Sequence, residues 1–281
     1  MPGVTAAPDH YENFPVASWL CPPRLRPPIA ALYHFARTAD DIADEGDAPT
    51  AVRLDDLAAY RADLDAAATG APISPRWAPV FGPLARTIAD WRLPLPLLRA
   101  LLDAFVQDVI FTRDRRTYAD RAELVDYCRR SADPVGRLLL HLYGIADPAA
   151  QARSDAVCTA LQLANFWQDL SVDIPRGRHY LTDADCAAHG VGRAELAALL
   201  STPATIELIA DCTAWTRATM QTGSDIVHDV PGRAGWELRL VVQGGLRILD
   251  RIAAGGHRSL EHRPTVGAAD LPTMLWRALR M

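Results

Sequence analysis

Two short acidic clusters constrain the fold of this chain most strongly. Each places two aspartates four residues apart in a segment that otherwise has a helical pattern: Asp40 and Asp44 in the first cluster, Asp169 and Asp173 in the second. Residues at this spacing lie on one face of an α-helix, where like charges repel and weaken an isolated helix. A chain that repeats this arrangement needs a counter-charge, and ligands that offer only oxygen suit Mg²⁺ better than zinc. We therefore predict that two helices face each other with Mg²⁺ between them.

The composition excludes several other classes of protein. The 281 residues are 49% hydrophobic and 22% charged with a net charge of −5, which indicates a sizeable core and no basic field for nucleic acid. Five widely spaced cysteines form no C-x-x-C pair, which argues against a disulfide framework or a zinc site and indicates a reducing cytoplasm. The sequence has no dinucleotide fingerprint and no P-loop. No apolar run approaches the roughly 18 residues of a membrane span, so we expect a cytoplasmic protein, at most peripheral to the inner face of the membrane.

Helical periodicity recurs along the chain, and strand signals are nearly absent. Apolar residues repeat at helical spacing in eight segments: residues 27–45, 51–68, 96–112, 121–142, 149–171, 193–200, 204–228 and 236–254. The proline-rich stretch 69–83 is expected to be a loop, and the last twenty residues either a less ordered tail or a short helix. We predict a single all-α domain over residues 1–281, with its core at about residues 10–255.

The first acidic cluster also carries an arginine on the same helical face. Arg37 precedes Asp40 by three residues and Asp44 by seven. Carboxylates that hold Mg²⁺ next to a guanidinium group that can grip phosphate form a site for a metal ion and a diphosphate. A solvated acidic helix end is the alternative, but the apolar residues before the cluster indicate that this helix is packed.

The second cluster belongs to a narrow polar stripe on an otherwise apolar segment. On a helix of about 100° per residue, four side chains fall within roughly 80° of one another: Gln162, Asn165, Asp169 and Asp173. We expect this stripe to face a polar site inside the protein, since a surface helix has a wider and more charged face. Arg176 and Arg178 follow directly and are placed to neutralise a departing diphosphate, although a basic turn paired with nearby acids is the alternative.

The helices between the two clusters carry weaker signals. Pro134 and Gly136 are expected to break or kink a helix, which would open space in the core for a long hydrocarbon. Structural packing explains these two residues equally well. Asp103 and Asp108 lie on a packed helix, and the sequence leaves open whether they line a site or face solvent.

With these residues, the chain resembles the squalene/phytoene synthase family over about residues 10–250. Residues 40–44 are similar to the family's first aspartate motif, and residues 165–173 are similar to its second. Further residues fall on positions that line the family's site: Arg37, Tyr127, Gln162 and Tyr180. Residues 13–18, 36–47 and 131–136 are most similar to the members that make hydroxysqualene in bacterial hopanoid biosynthesis.

The resemblance implies a class I isoprenoid synthase, a helical bundle with a central apolar cavity and a requirement for Mg²⁺. The four clustered aspartates would bind the Mg²⁺ that holds the diphosphate of presqualene diphosphate, and Arg37 would stabilise the diphosphate as it leaves. Phe14 or Tyr127 would stabilise the resulting cation with an aromatic face before water captures it as hydroxysqualene. Together with Phe14, the expected substrate-binding residues are Asn13, Gln162, Asn165, Arg176, Arg178 and Tyr180.

The chain departs from the family in three places. The arginine that precedes the second motif in condensing members is Gln168 here, Glu12 stands in a segment where a lysine is common, and Gly245 takes the place of a late tyrosine. These changes reduce the positive charge available for a second diphosphate. They favour an enzyme that receives one diphosphate.

Two other functions stay open. One is the head-to-head condensation of two farnesyl diphosphates to presqualene diphosphate, squalene or a C30 carotenoid precursor. The other is a non-enzymatic assembly factor, which would be expected to lack intact aspartate motifs, whereas both motifs are intact here. The preferred interpretation also implies that a presqualene diphosphate synthase hands over the substrate and that a hydroxysqualene reductase takes the product, with a peripheral membrane contact allowed.

Overall fold

The computed structural model describes residues 21–281, and every regular element within them is a helix. The helices are α1 Arg26–Asp44, α2 Thr50–Thr69, α3 Ala78–Trp91, α4 Leu95–Asp114, α5 Arg121–Ser131, α6 Asp133–Tyr143, α7 Pro148–Gln168, α8 Leu170–Asp173, α9 Asp183–Ala188, α10 Arg193–Ala197, α11 Pro203–Gly223, α12 Ile226–Asp229, α13 Gly232–Ala254 and α14 Leu271–Ala278. The predicted all-α fold is confirmed. Within these residues, no helix combines the length and the apolar character that crossing a bilayer requires.

Capping residues in the sequence set where the site-bearing helices begin. The Asp120 side chain accepts a hydrogen bond from the Glu123 amide at the start of α5. The Asp147 side chain accepts from the amides of Ala149 and Ala150 at the start of α7. These bonds satisfy amide groups that have no partner within the helix, so they fix the first turns of both helices.

Helix α7 lies at the centre of the bundle, where it packs against α5, α6, α11 and α13. Its side chains Leu163, Phe166 and Trp167 are at most 2% exposed. The Trp167 indole N–H donates to the Thr216 hydroxyl on α11 over 2.7 Å, which satisfies a polar group inside the core. Burial of one leucine or phenylalanine contributes about 1.5–3 kcal/mol. This packing therefore holds the C-terminal end of α7, and Asp169 beyond it, in a fixed position.

Helix α1 is anchored by a separate aromatic core. Phe35 on α1 stacks on Tyr60 of α2, and both rings contact Phe81 of α3. The Tyr60 hydroxyl donates to the Phe35 carbonyl over 3.0 Å. The two aspartate clusters thus lie at the C-terminal ends of two helices that are each held rigidly by buried aromatic side chains.

Several predicted helices are divided in the structure. Residues 121–142 form α5 and α6, which meet at Ala132 just before Pro134, so the predicted break is confirmed. Residues 204–228 form α11 and the short α12. The segment 149–171 is interrupted at Asp169, whose backbone leaves helical geometry at φ −100° and ψ 11°. The expectation that Asp169 and Asp173 share one uninterrupted helix is therefore wrong.

The proline-rich stretch 69–83 is a loop only as far as Trp77, so that prediction is wrong in its second half. Helix α3 begins at Ala78 with Pro79 in its first turn, where the missing proline N–H leaves no helical bond unmade. At the other end of the chain the structure has the short helix α14, one of the two alternatives that the sequence left open.

Candidate active site

The end of α1 carries the first group of charged side chains. Arg37 is paired with Asp40 at 3.3 Å, Asp41 at 2.8 Å and Glu45 at 3.5 Å, so three carboxylates share its guanidinium group. Partial burial raises the pKa of Asp40 to about 6, and the negative charge of Asp44 adds to the rise while Arg37 opposes it. Asp44, the fourth acid at this helix end, does not pair with Arg37, and its counter-charge comes from another element.

The second group of charged side chains lies just beyond the end of α7. Asp169 occupies the break between α7 and α8, and Asp173 is the last residue of α8. Their side chains are only 16% and 12% exposed, so both are directed into the protein. Burial, together with the negative charges of Asp169 and Asp44, raises the pKa of Asp173 to about 7. Asp44 acts on Asp173 because the two clusters face each other across one site.

Arg178 joins the two groups. Its guanidinium group is hydrogen-bonded to Asp44 and lies 3.9 Å from Asp173. Arg176 lies 3.5 Å from the other carboxylate oxygen of Asp44. Gly177, with a φ of 84°, turns the chain after α8, which allows the side chain of Arg178 to return to the cluster. The carboxylates of Asp44 and Asp173 therefore flank a space that a single cationic group fills.

Helices α4 and α5 add a carboxylate–phenol pair to the site. The buried Tyr127 hydroxyl donates to Asp108 over 2.6 Å. Burial raises the pKa of Asp108 to about 7, although the Tyr127 hydrogen bond and the charge of Arg178 lower it. Asp40 and Asp44 raise it further, which places Asp108 in the field of the same cluster.

The structure settles which of the two α4 aspartates lines the site. Asp103 is 53% exposed and pairs with Arg61 at 2.5 Å on the surface. Asp108, five residues later, is half-buried and bonded to Tyr127. Of the pair, Asp108 is the residue that belongs to the candidate site.

Aromatic rings form the wall behind these charges. Tyr180 stacks on Phe166, with ring centroids 3.7 Å apart and planes 9° from parallel. Tyr118 and Tyr127 lie 6.1 Å and 6.3 Å from Tyr180 between centroids, and all four rings are buried. Burial raises the pKa values of Tyr127 and Tyr180, which keeps both phenols neutral. The site thus combines a charged rim with an aromatic wall.

Arg263 is a site residue that the sequence analysis missed. It lies between α13 and α14 and donates to both carboxylate oxygens of Asp169, over 2.5 Å and 3.2 Å. The buried Gln168 side chain holds the same segment by donating to the Pro264 carbonyl over 2.7 Å. The two ends of the Arg263–Asp169 pair are 94 residues apart in sequence, so no helical spacing connects them.

The remaining predicted residues have different positions relative to this cluster. Gln162 and Asn165 lie on α7 within the two turns before Asp169, and both are half-buried. The Asn165 carbonyl accepts the Asp169 amide over 2.9 Å as the last helical bond of α7. Asn13 and Phe14 lie outside the described residues.

Helix packing explains why position 245 is a glycine. A Cβ atom at this position would lie 2.6 Å from Leu161 on α7 and 2.8 Å from Met220 on α11. The close approach of α13 to these two helices therefore explains the glycine without reference to the number of diphosphates that the site receives.

The carboxylate oxygens of the site are chemically suited to a hard cation. Within residues 21–281, no three histidine, cysteine, aspartate or glutamate side chains converge closely enough to hold a metal ion. Instead, Asp44 holds Arg178 and Asp169 holds Arg263. The carboxylates on both sides nevertheless offer only oxygen donors, which suits Mg²⁺. A divalent ion bound here would take over the counter-charge that the two arginines now provide.

Comparison with known proteins extends over both acidic clusters. Residues 7–270 match the squalene/phytoene synthase family. The hydroxysqualene synthase of Rhodopseudomonas palustris is 34% identical over 232 residues, which cover 82% of this chain and 75% of that protein. The presqualene diphosphate synthase of Zymomonas mobilis is 27% identical over 271 residues, covering 96% of this chain and 89% of that protein.

A solved structure has the same fold as this chain. The squalene synthase HpnC from Alicyclobacillus acidocaldarius is similar with a TM-score of 0.77 and 37% sequence identity, covering 88% of this chain and 90% of that chain.

Proposed function

The chain belongs to the squalene/phytoene synthase family, and we propose that within it the protein is a hydroxysqualene synthase acting on presqualene diphosphate. The observation that carries this proposal is the position of Arg178, bonded to Asp44 and 3.9 Å from Asp173. A cation between two facing acidic clusters is the arrangement that a site for a metal-bound diphosphate needs.

The charged rim would bind and release the diphosphate. The residues that would hold Mg²⁺ are Asp40, Asp44, Asp169 and Asp173. The bound metal would stabilise the negative charge of the departing diphosphate. Arg37, Arg176 and Arg178 present guanidinium groups that can form paired hydrogen bonds to phosphate oxygens. With Mg²⁺ bound to the carboxylates, the guanidinium groups that now pair with those carboxylates would become available to the phosphate oxygens.

The aromatic wall would serve the hydrocarbon part of the reaction. Loss of diphosphate from presqualene diphosphate leaves a cyclopropylcarbinyl cation, which rearranges before water adds to it. The buried faces of Tyr127, Phe166 and Tyr180 can stabilise positive charge without reacting with it. The Tyr127 hydroxyl is occupied by its bond to Asp108, so its ring is fixed in place.

Gln168 supports the choice of a substrate with one diphosphate. Its side chain is neutral, 1% exposed and bonded to the Pro264 carbonyl, so it offers no charge to a second diphosphate. The hydroxysqualene synthase of Rhodopseudomonas palustris, with 34% identity, is a relative whose name agrees with this choice. A presqualene diphosphate synthase would then provide the substrate, and a hydroxysqualene reductase would consume the product.

One observation favours a second candidate function, the condensation of two farnesyl diphosphates. Arg263 brings a guanidinium group to Asp169 that is separate from the Arg178 group at Asp44. Two separate cationic groups are what two diphosphates would require. The similarity to the presqualene diphosphate synthase of Zymomonas mobilis points the same way.

Separate incubations with the two substrates distinguish these functions. Purified protein and Mg²⁺ would be mixed either with presqualene diphosphate or with farnesyl diphosphate, and the products identified by mass spectrometry. We expect hydroxysqualene from presqualene diphosphate and no C30 product from farnesyl diphosphate alone. Turnover of farnesyl diphosphate without turnover of presqualene diphosphate would overturn the proposal in favour of condensation.

A further inference from the structure

Helix α14 presents an apolar face that the described part of the chain leaves exposed. Its large apolar side chains are 50–64% exposed: Leu271, Leu275, Trp276 and Leu279. Three of them recur every four residues, so they share one face of the helix. The adjacent face is packed, because Ala278 is 1% exposed and Met274 reaches the Gly244 position of α13. We call the exposed set the α14 face.

Ion pairs fix the direction of the α14 face. Asp270, just before α14, is fully buried and pairs with Arg247 at 2.6 Å and Arg251 at 2.7 Å on α13. Arg277 within α14 pairs with Asp250 at 2.6 Å. Because contacts at both ends attach the helix to α13, rotation of its leucines inward would break these ion pairs. The exposure of the α14 face is therefore part of the folded arrangement.

Positive charge is concentrated in the same part of the chain. Residues 232–281 contain eight arginines and four acidic residues, although the whole chain has a net charge of −5. The Arg280 guanidinium lies 3.9 Å from the centroid of Trp276, at the edge of the α14 face. Arg239 lies over Trp236, which is 42% exposed on α13. Two exposed indole rings in residues 232–281 are thus paired with arginine side chains.

We propose that the α14 face docks on an anionic lipid bilayer. A short amphipathic helix with leucine and tryptophan on one side and an arginine at its edge suits the boundary between lipid headgroups and acyl chains. Tryptophan is favoured at that boundary, and each arginine near an anionic surface adds attraction. Contact with lipid would remove the four exposed side chains from water while Arg280 reaches the headgroups.

A second copy of the chain fits the α14 face less well. The face consists of four side chains, whereas a stable protein–protein interface uses roughly 20–30 residues on each side. A symmetric contact at this position would also place the Arg280 side chains of two copies at one interface, which costs electrostatic energy. The match to the family model covers residues 7–270 and stops just before the α14 face.

Sedimentation with lipid vesicles tests the proposal. The full chain would be mixed with phosphatidylcholine vesicles with or without phosphatidylglycerol and centrifuged. We expect the wild type to bind the anionic vesicles, and the double variant Leu275→Ser, Leu279→Ser to bind at least about tenfold more weakly. Leu200→Ser is the matched control, because Leu200 is also 50% exposed but lies after α10. This variant should bind vesicles within about twofold of the wild type. Arg280→Ala should weaken binding to anionic vesicles only.

The outcomes separate lipid docking from its alternatives. Equal binding by the wild type and the double variant, or no binding by the wild type, would overturn the proposal. So would a wild-type dimer in sedimentation velocity without lipid that the double variant converts to a monomer, since the face would then belong to a second copy. Unchanged melting temperatures would show that the variants fold. Vesicle binding needs neither substrate nor metal, so its failure would leave the proposed function unaffected.

Discussion

At the scale of single residues, the site is a set of carboxylates whose counter-charges come from arginines. The spacing of the motifs predicted that the aspartates share a site, and Arg178, just after the second motif, lies among them. Its role near a diphosphate stays a prediction. Arg263 could not be predicted, because it reaches Asp169 from 94 residues away through a segment with no periodic pattern. Asp108 was ambiguous for a similar reason, since only the contact with Tyr127 distinguishes it from Asp103.

Replacement of different aspartates should reduce activity to different extents. Asp169→Asn should lower activity toward presqualene diphosphate at least about a hundredfold, because it removes a charge from the proposed diphosphate site. Asp41→Asn should cost less than about tenfold, since Asp41 points roughly 100° away from Asp40 and pairs with Arg37 at 2.8 Å. Steady-state kinetics and circular dichroism would measure activity and helix content. Asp56→Asn, at an ion pair with Arg76, is the control. Equal losses in all three variants would contradict the ranking.

Asp108→Asn tests the cost of burying a charge. The pKa of Asp108 in the folded protein is about 7, whereas an exposed aspartate has a pKa of roughly 3.9. Between these values the folded protein binds more protons than the unfolded chain, so the free energy of unfolding falls as pH rises from about 4 to about 7. Asparagine does not titrate and can still accept the Tyr127 hydrogen bond. We expect the metal-free variant to melt a few degrees above the wild type at pH 8, with a smaller difference at pH 5.

The control for that measurement is Asp103→Asn on the same helix. Its side chain is 53% exposed, so its melting temperature should follow that of the wild type at both pH values. A stabilisation by Asp108→Asn that does not change between pH 5 and pH 8 would show that the effect has another cause than charge burial.

At the scale of elements, periodicity predicted most of the long helices but not where they end. Helix α7 stops at Gln168 because the Ser171 amide donates to the Ser259 carbonyl over 3.1 Å, a bond to a distant segment. That contact forms only in the folded chain, so the sequence pattern predicted one continuous helix for the polar stripe from Gln162 to Asp173. Helix α3 was missed because its prolines indicate a loop, although Pro79 lies in the first turn.

The contact between α7 and α11 gives a prediction at this scale. A Cβ atom at Gly223 would meet the Arg153 carbonyl and would lie 2.9 Å from Ala156, both on α7. Gly223→Ala should therefore lower the free energy of unfolding by about 1–3 kcal/mol. Gly244→Ala is the matched control, because its nearest neighbour is Met274 at 3.7 Å and alanine favours the helix by up to about 1 kcal/mol. Urea denaturation would compare the two variants, and equal stability would show that α7 and α11 are not closely packed at Gly223.

At the scale of the whole molecule, two acidic clusters far apart in the chain meet at the ends of two separately anchored helices. The sequence predicted this meeting from chemistry, since paired carboxylates need a shared counter-charge. It could not predict that α1 and α7 are held by different aromatic cores, nor that the segment after α13 closes over Asp169. Those features depend on long-range packing that leaves no local pattern.

Calorimetric titration with inorganic diphosphate, in the presence and absence of Mg²⁺, tests the shared site most directly. We expect the wild type to bind diphosphate only with Mg²⁺. Asp44→Asn and Asp173→Asn should each weaken binding at least about tenfold, with the double variant little weaker than either, because both clusters would hold the same ions. Asp65→Asn, at an exposed pair with Arg99, should bind as the wild type does. Undiminished Mg²⁺-dependent binding by Asp173→Asn would show that one cluster acts alone and would contradict the account.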